Sequence, residues 1–407
     1  MTSAVSVPNE LIPKHAERLL SHPVGRDDLA LAFSESSASS AEVLVTGDSF
    51  FPRMLDDIRA ASSSVHVNQF GFRPGLVGDM FADALIAKAA EGVPVRVIVD
   101  RRGSDPERAG RALYERLVSG GVQVWVVRAM QVRARCGQLG AGGVNRWNLG
   151  ALGHVDHRKL TVVDGRVGWV GGAGIEDHFQ DGRFHDLFVR VTGPVVAQVQ
   201  LVFLASVRWL GGEVRLSSLH DLFPVLEAGG AALRARVLQN APGRFRPVTT
   251  ELVRLLEGAT ETLDVVNPYV TDRGMIRRIA QAAERGVRVR LFVPGKVNHG
   301  GCESALRYHH ARLLDAGVRI IEHPAMLHAK AFVRDGEEVL AGTCNLDAWS
   351  LKRFFEIDLQ LWSRDVAAQF EERFSAPAEK VSRPGQPLVG GTRRLKATAF
   401  ATLSPLL

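Results

Sequence analysis

The chain has 407 residues, 46% of them hydrophobic and 23% charged. This length is too great for one ordinary core, and the composition excludes a disordered or multi-spanning protein. A formal charge of +6 and a pI near 9.5 favour anionic partners such as nucleic acid or an acidic lipid surface, although an arginine-rich composition at large would give the same excess. The three cysteines, Cys136, Cys302 and Cys344, are far apart and show neither C-x-x-C spacing nor a disulfide framework, so a reducing compartment fits them.

Residues 1–40 read as an N-terminal extension without the apolar core of a secretory signal, and no stretch is long and apolar enough for a transmembrane helix. From about Ser63, SSVHVNQFGF is strand-like; GDMFADALIAKAAEGV follows with helical periodicity, then the strand VPVRVIVD. Another helix and a glycine turn lead into a strand in RALYERLVSGGVQVWVV. A glycine-rich insertion spans Ala129 to Gly153, carries Arg133, Arg135, Arg146 and Trp147, and reads as a flap over a substrate site. PVVAQVQLVFLASVRWLGG, from Pro194, reads as a packed amphipathic helix.

The same order of elements then returns: ETLDVVNPYV, GMIRRIAQAAERGV, VRVRLFVP and SALRYHHARLLDAGVRIIEH. The sequence therefore divides into a first half, 41–229, and a second, 230–375, followed by a tail, 376–407, with a Pro/Gly linker and a short terminal helix. Strands alternating with helices predict two similar α/β halves, each a largely parallel sheet flanked by helices.

Each half carries one copy of His-x-Lys-x4-Asp. HRKLTVVDG supplies His157, Lys159 and Asp164; HAKAFVRDG supplies His328, Lys330 and Asp335. Gly171 and Gly342 follow the aspartates at equal spacing. One such motif would arise by chance in about one chain in seventy of this kind, so two at matching repeat positions form a strong signal. On a strand, i and i+2 share a face, so each His and Lys point into one pocket, and Thr161 and Val163 continue that stripe before the chain turns at Asp-Gly. Each Asp can accept a hydrogen bond from an imidazole and fix its tautomer; spacing leaves open which histidine each serves. Two imidazoles across a phosphate suit a two-step displacement, with the lysines stabilising the transition-state charge, and no metal or other cofactor is needed. His154 lies close to His157 but lacks further ligands for a metal site, and the His309–His310 pair reads as a helix-surface feature.

These motifs, together with VNPYVTDRGMIRRIAQAAERGVRVRLFVPGK, LLDAGVRIIEHPAMLHAK, GTCNLDAWSL and DLFVRVTGPVV, resemble the phospholipase D superfamily, and within it the bacterial cardiolipin synthase-like branch. The resemblance implies the phospholipase D fold: two α/β halves with parallel or mixed sheets, related by a pseudo-twofold, and one active site between them. It implies a phosphohistidine intermediate, with His157 as nucleophile and His328 as general acid/base. Asn345, Thr343, Gly172 and Glu356 are expected to bind substrate phosphate, and Glu356 and Asp186 to hold pocket residues by hydrogen bonds. Departures from the pattern are Gly174, where an asparagine is usual, and Trp349 and Phe354, where Arg and Asn are usual. The expected substrate is a phospholipid, an anionic one such as phosphatidylglycerol, met at the cytoplasmic face of a membrane by a cytoplasmic or peripheral protein. The alternative is a nuclease acting on nucleic-acid phosphodiesters.

Overall fold

A computed structural model describes residues 7–127 save 23 and 26, then 137–138, 155–215, 218–226, 232–243, 245–298, 300–387 and 398. In chain order the first part contains α1 (Ile12–Ser21), β1 (Ser36–Ala38), β2 (Ser40–Val45), α2 (Gly47–Arg59), β3 (Val65–Gln69), α3 (Leu76–Ala90), β4 (Val95–Asp100), α4 (Arg101–Ser104), α5 (Arg111–Ser119), β5 (Gln123–Val127), β6 (Gly137–Gln138), β7 (Lys159–Val163), β8 (Val167–Gly171), α6 (Asp177–Gln180), β9 (Phe184–His185), β10 (Leu187–Thr192) and α7 (Val196–Trp209). The second contains α8 (Leu219–Leu222), β11 (Leu233–Asn240), α9 (Pro247–Gly258), β12 (Thr262–Val266), α10 (Arg273–Glu284), β13 (Arg288–Pro294), α11 (Gly300–Asp315), β14 (Arg319–His323), β15 (Met326–Leu327), β16 (Ala331–Arg334), β17 (Glu338–Gly342), α12 (Ala348–Lys352), β18 (Glu356–Trp362), α13 (Arg364–Phe370), α14 (Ala376–Val381) and β19 (Arg383–Pro384).

The strands form two large sheets with matching orders, β2-β10-β8-β7-β3-β4-β5-β6 and β1-β11-β18-β17-β16-β12-β13-β14-β19. The sheets are mixed rather than largely parallel. Within these two sheets the parallel pairs described are β3-β4-β5 and β12-β13-β14, where helices provide the crossovers, and β9 pairs in parallel with β15 in a small separate sheet. The strands that follow each motif pair antiparallel, because β7-β8 and β16-β17 are hairpins whose Asp-Gly turns adopt positive φ: Asp164 54° and Gly165 60°, Asp335 52° and Gly336 64°.

Three apolar cores make five layers. One core lies between the outer face of the first sheet and α2, α3 and α5; another lies between the second sheet and α9, α10 and α11. The third fills the space between the sheets, joining Leu160, Val162 and Val170 to Ala331, Val333 and Leu359 through α7 and α13. This position explains why α7 is not amphipathic. It is buried nearly all round, and its polar residues are bonded internally: Gln198 to Asn9, Ser34 and Val237, Gln200 to His66.

Segments read as extension and tail take part in the fold. Strand β1 is the edge of the second sheet, α1 packs on α7, and β19 pairs with β14. Most of the 129–153 insertion, His154 and the expected C-terminal helix lie outside the described residues; Gly137 and Gln138 form a short strand beside β5. His310 is not a surface residue: it is 1% exposed, with Nδ1 3.1 Å from the Gln386 carbonyl.

Candidate active site

Both motif strands end at the seam between the sheets, and each histidine is fastened to the opposite half. The His157 N–H donates to the Phe355 carbonyl (3.0 Å), and the His328 N–H donates to the His185 carbonyl (2.7 Å). The residue following each of those carbonyls is an acid. His157 Nδ1 lies 3.1 and 3.0 Å from the two carboxyl oxygens of Glu356, and His328 Nδ1 lies 2.7 Å from Asp186 Oδ2. Both acids are buried, at 0% and 1% exposure. Engaging Nδ1 leaves Nε2 of each ring as the reactive nitrogen.

Lys159 Nζ donates to the His157 carbonyl (2.6 Å). Lys330 Nζ bonds the His328 carbonyl and sits 2.9 and 3.1 Å from the two ring nitrogens of His328. Burial pulls the ammonium pKa down to about 8 for Lys159 and about 7 for Lys330. Burial, with the charges of both lysines, holds both imidazoles well below their usual range. Burial also raises the acids, Glu356 to about 8 and Asp186 to about 6, against the pull of the lysines.

The motif aspartates do not orient the histidines. Each sits at the turn of its hairpin, where positive φ turns the carboxylate onto the start of the neighbouring strand in the sheet, β3 or β12. Asp164 accepts from the backbone N–H groups of Ser62, Ser63 and Ser64 and from two serine hydroxyls. Asp335 accepts likewise from Thr260, Glu261 and Thr262. Burial raises both carboxyls, but these N–H donors outweigh it and hold them below the usual carboxylate range. Thr161 and Val163 face the helix-side core, not the pocket: Thr161 Oγ1 contacts Met54 Sδ at 3.6 Å, and Val163 packs with Val65 and Val67.

The four residues expected around the phosphate divide differently. Glu356 is taken up by His157 and by the Thr343 hydroxyl, which donates to it at 2.6 Å. The Thr343 N–H donates to the Ile357 carbonyl and to Asp358 Oδ1, so Thr343 supports Glu356 instead of reaching into the pocket. Gly172 makes room: a Cβ there would lie 2.4 Å from Asp186 Oδ1. Asn345 is 4% exposed, and its Oδ1 has no hydrogen-bond partner among the described residues. Sequence reasoning passed over Asp156 and its partners. Asp156 accepts from Arg158 and Asn68 and is pinned through its N–H to Asp100, which fixes the strand entering His157. The two orienting acids had a signal, since each opens the strand that follows its motif hairpin, in DLFVRV and EIDLQL.

Rings line the pocket. Phe70 and Phe354 lie 5.0 and 6.0 Å from the His157 ring, and Phe179, Phe184 and Tyr269 lie 5.5, 5.7 and 6.4 Å from that of His328.

Residues 54–203 and 252–377 match the family described as cardiolipin synthase, phospholipase D-like domain. Among curated relatives, cardiolipin synthase A of Pseudomonas syringae pv. syringae (strain B728a) is 30% identical over 83% of this chain and 68% of its own length. Cardiolipin synthase of Geobacillus thermodenitrificans (strain NG80-2) is 28% identical over 97% of this chain and 79% of its own. The crystal structure of phosphatidylserine synthase from Haemophilus influenzae Rd KW20 superposes with a TM-score of 0.69 at 14% identity, covering 97% of this chain and all of that one, which is a likeness of fold. With the duplicated motif, the paired sheets and these matches in agreement, the chain belongs to the phospholipase D superfamily, in its cardiolipin synthase-like family.

Proposed function

We propose that the protein is a phosphatidyltransferase that cleaves a phospholipid phosphodiester, passes the phosphatidyl group through a phosphohistidine, and delivers it to an alcohol, in the manner of a cardiolipin synthase. The observation carrying this reading is the pair of imidazole–carboxyl units, each assembled across the two halves and flanked by a buried lysine. In the first step His157 Nε2 attacks phosphorus, the bond to the leaving alkoxide breaks, and His328 supplies the proton. In the second, His328 takes the proton of the acceptor alcohol, whose oxygen attacks phosphorus, and the P–N bond breaks. Lys159 and Lys330 stabilise the non-bridging oxygens.

The two pairs differ in a way that favours this division of roles. Burial and the lysines work against a proton on His328, and its 2.7 Å bond to Asp186, whose carboxyl sits at about 6, is the contact that favours one. Glu356 accepts from His157 Nδ1–H, and burial with the charges of Lys159 and Lys330 keeps that ring neutral, which leaves Nε2 nucleophilic. Family membership and the apolar rings beside both imidazoles favour a lipid, and a chain with +6 charge favours an anionic one such as phosphatidylglycerol at a membrane surface.

Incubation with phosphatidylglycerol vesicles should yield cardiolipin and free glycerol, undiminished by EDTA. Nucleic-acid cleavage without lipid turnover would instead establish the nuclease alternative.

A further inference from the structure

The two halves of the pocket differ most where Gly174 stands in the place of Asn345. A second glycine, Gly71, lies two residues beyond Gln69, which pairs with Lys159; its counterpart two residues beyond Asn267 is Tyr269. Between the two glycines sits one carboxylate. A Cβ on Gly71 would lie 2.1 Å from Glu176 Oε1, and a Cβ on Gly174 would lie 2.7 Å from the same oxygen. Glu176 alone closes Gly71 to a side chain, and at Gly174 the Gly71 carbonyl, 2.9 Å from such a Cβ, closes the position further.

Glu176 is also released from the task its counterpart performs. In the second half Asp347 caps α12, accepting from the N–H groups of Trp349 (2.8 Å) and Ser350 (2.9 Å). In the first half Glu176 stands at the N-cap of α6 but its side chain makes no capping bond there, and the next residue, Asp177, accepts from Leu76 (3.1 Å) and Val77 (2.9 Å) at the start of α3. The Glu176 side chain, 13% exposed, instead pairs with Arg73 Nε at 3.3 Å and lies within the electrostatic reach of Lys159. An acceptor-only, anionic group has thus replaced an amide at one wall of the pocket.

We propose that Glu176 is a specificity-determining residue that selects the alcohol side of the transfer, favouring acceptors with a hydroxyl or ammonium donor next to the reacting oxygen and disfavouring those with a second negative charge. This rests on the phosphatidyl-transfer reading. A site built to pair with a hydroxyl rejects an analogue lacking it, because the buried acceptor is then left unsatisfied. Arg73 Nε, itself bonded to the Gly103 carbonyl at 2.6 Å, and His178 Nδ1 at 3.8 Å flank Glu176 Oε2, while Oε1 is turned to the two glycines.

The test is a partition experiment, in which the full chain acts on phosphatidylglycerol vesicles with equal concentrations of propane-1,2-diol and propan-1-ol and mass spectrometry reads the ratio of the two transfer products. That ratio is set after the first step, so a variant's overall rate does not enter it. The native chain should favour the diol by about tenfold. Glu176→Ala should bring the ratio near one, while Glu176→Gln, which keeps a carbonyl acceptor, should fall between. Glycerol 3-phosphate should be a poor acceptor for the native chain and a better one for Glu176→Ala. An unchanged ratio in both Glu176→Gln and Glu176→Ala, with transfer proceeding, overturns this inference alone. Absence of transfer to any alcohol by the native chain overturns the phosphatidyl-transfer reading as well.

Discussion

The half-sites around His157 and His328 come from the same strand, turn and strand, yet they secure their imidazoles by different means. At His328 the acid is the shorter Asp186, brought close by the Leu187 N–H (2.7 Å) and given space by Gly172. At His157 it is the longer Glu356, which needs no gap and is steadied by the Thr343 hydroxyl. Gly with Asp and Thr with Glu are matched sets: each small or hydroxylated residue suits the reach of the acid it faces. A duplicated motif has thus been tuned into two unequal partners, as a reaction with a nucleophile and a separate proton carrier requires.

The comparison is broken most severely by removing either ring. His157→Ala and His328→Ala should each lower turnover by about a thousandfold or more. Only His328→Ala should accumulate a labelled intermediate from 32P-phospholipid after alkaline quench, and label retained in His157→Ala would reverse the roles. Replacing the acids should sharpen the asymmetry: Asp186→Asn should cost roughly a hundredfold in kcat and Glu356→Gln only about tenfold, because Asp186 must stabilise a ring that carries a proton whereas Glu356 orients a neutral one.

The pH dependence of kcat/KM tests the same point. Activity should fall as pH drops through about 6, where Asp186 takes up a proton, and again as pH rises through about 7 to 8, where Lys330 and then Lys159 lose theirs. Residual activity in Asp186→Asn should lack the acid limb. Gly172→Ala should reduce turnover by about tenfold by displacing Asp186, while the matching Thr343→Ala should cost less. Asp164→Asn should leave kcat within about twofold, yet lower unfolding stability by about 1–2 kcal/mol in a denaturant titration, since its bonds tie strands together.

The repeat, the paired motifs and the Asp-Gly turns were legible because they depend on local order and spacing. What escaped was decided across the seam. Glu356 and Asp186 were expected to hold pocket residues, but not which ring each would serve, and the motif aspartates, expected to orient the histidines, are carried by their hairpins to the far end of the strand. The α7 segment misled for a similar reason: Gln198 and Gln200 look like a solvent face, but both are bonded inside a layer that exists only when two sheets sandwich one helix. Sheet parallelism was overestimated because helix-bearing crossovers dominate the sequence pattern, whereas the hairpins that supply antiparallel strands occupy few residues.

Because each histidine borrows its carboxyl and its backbone anchor from the other half, chemical competence is a property of assembly. A nascent chain that has completed its first sheet already carries His157 and Asp186, but it has neither Phe355 to hold that ring nor His328 to use that acid. Such a chain is inert toward lipid during synthesis, and two separately expressed halves should regain turnover only when mixed.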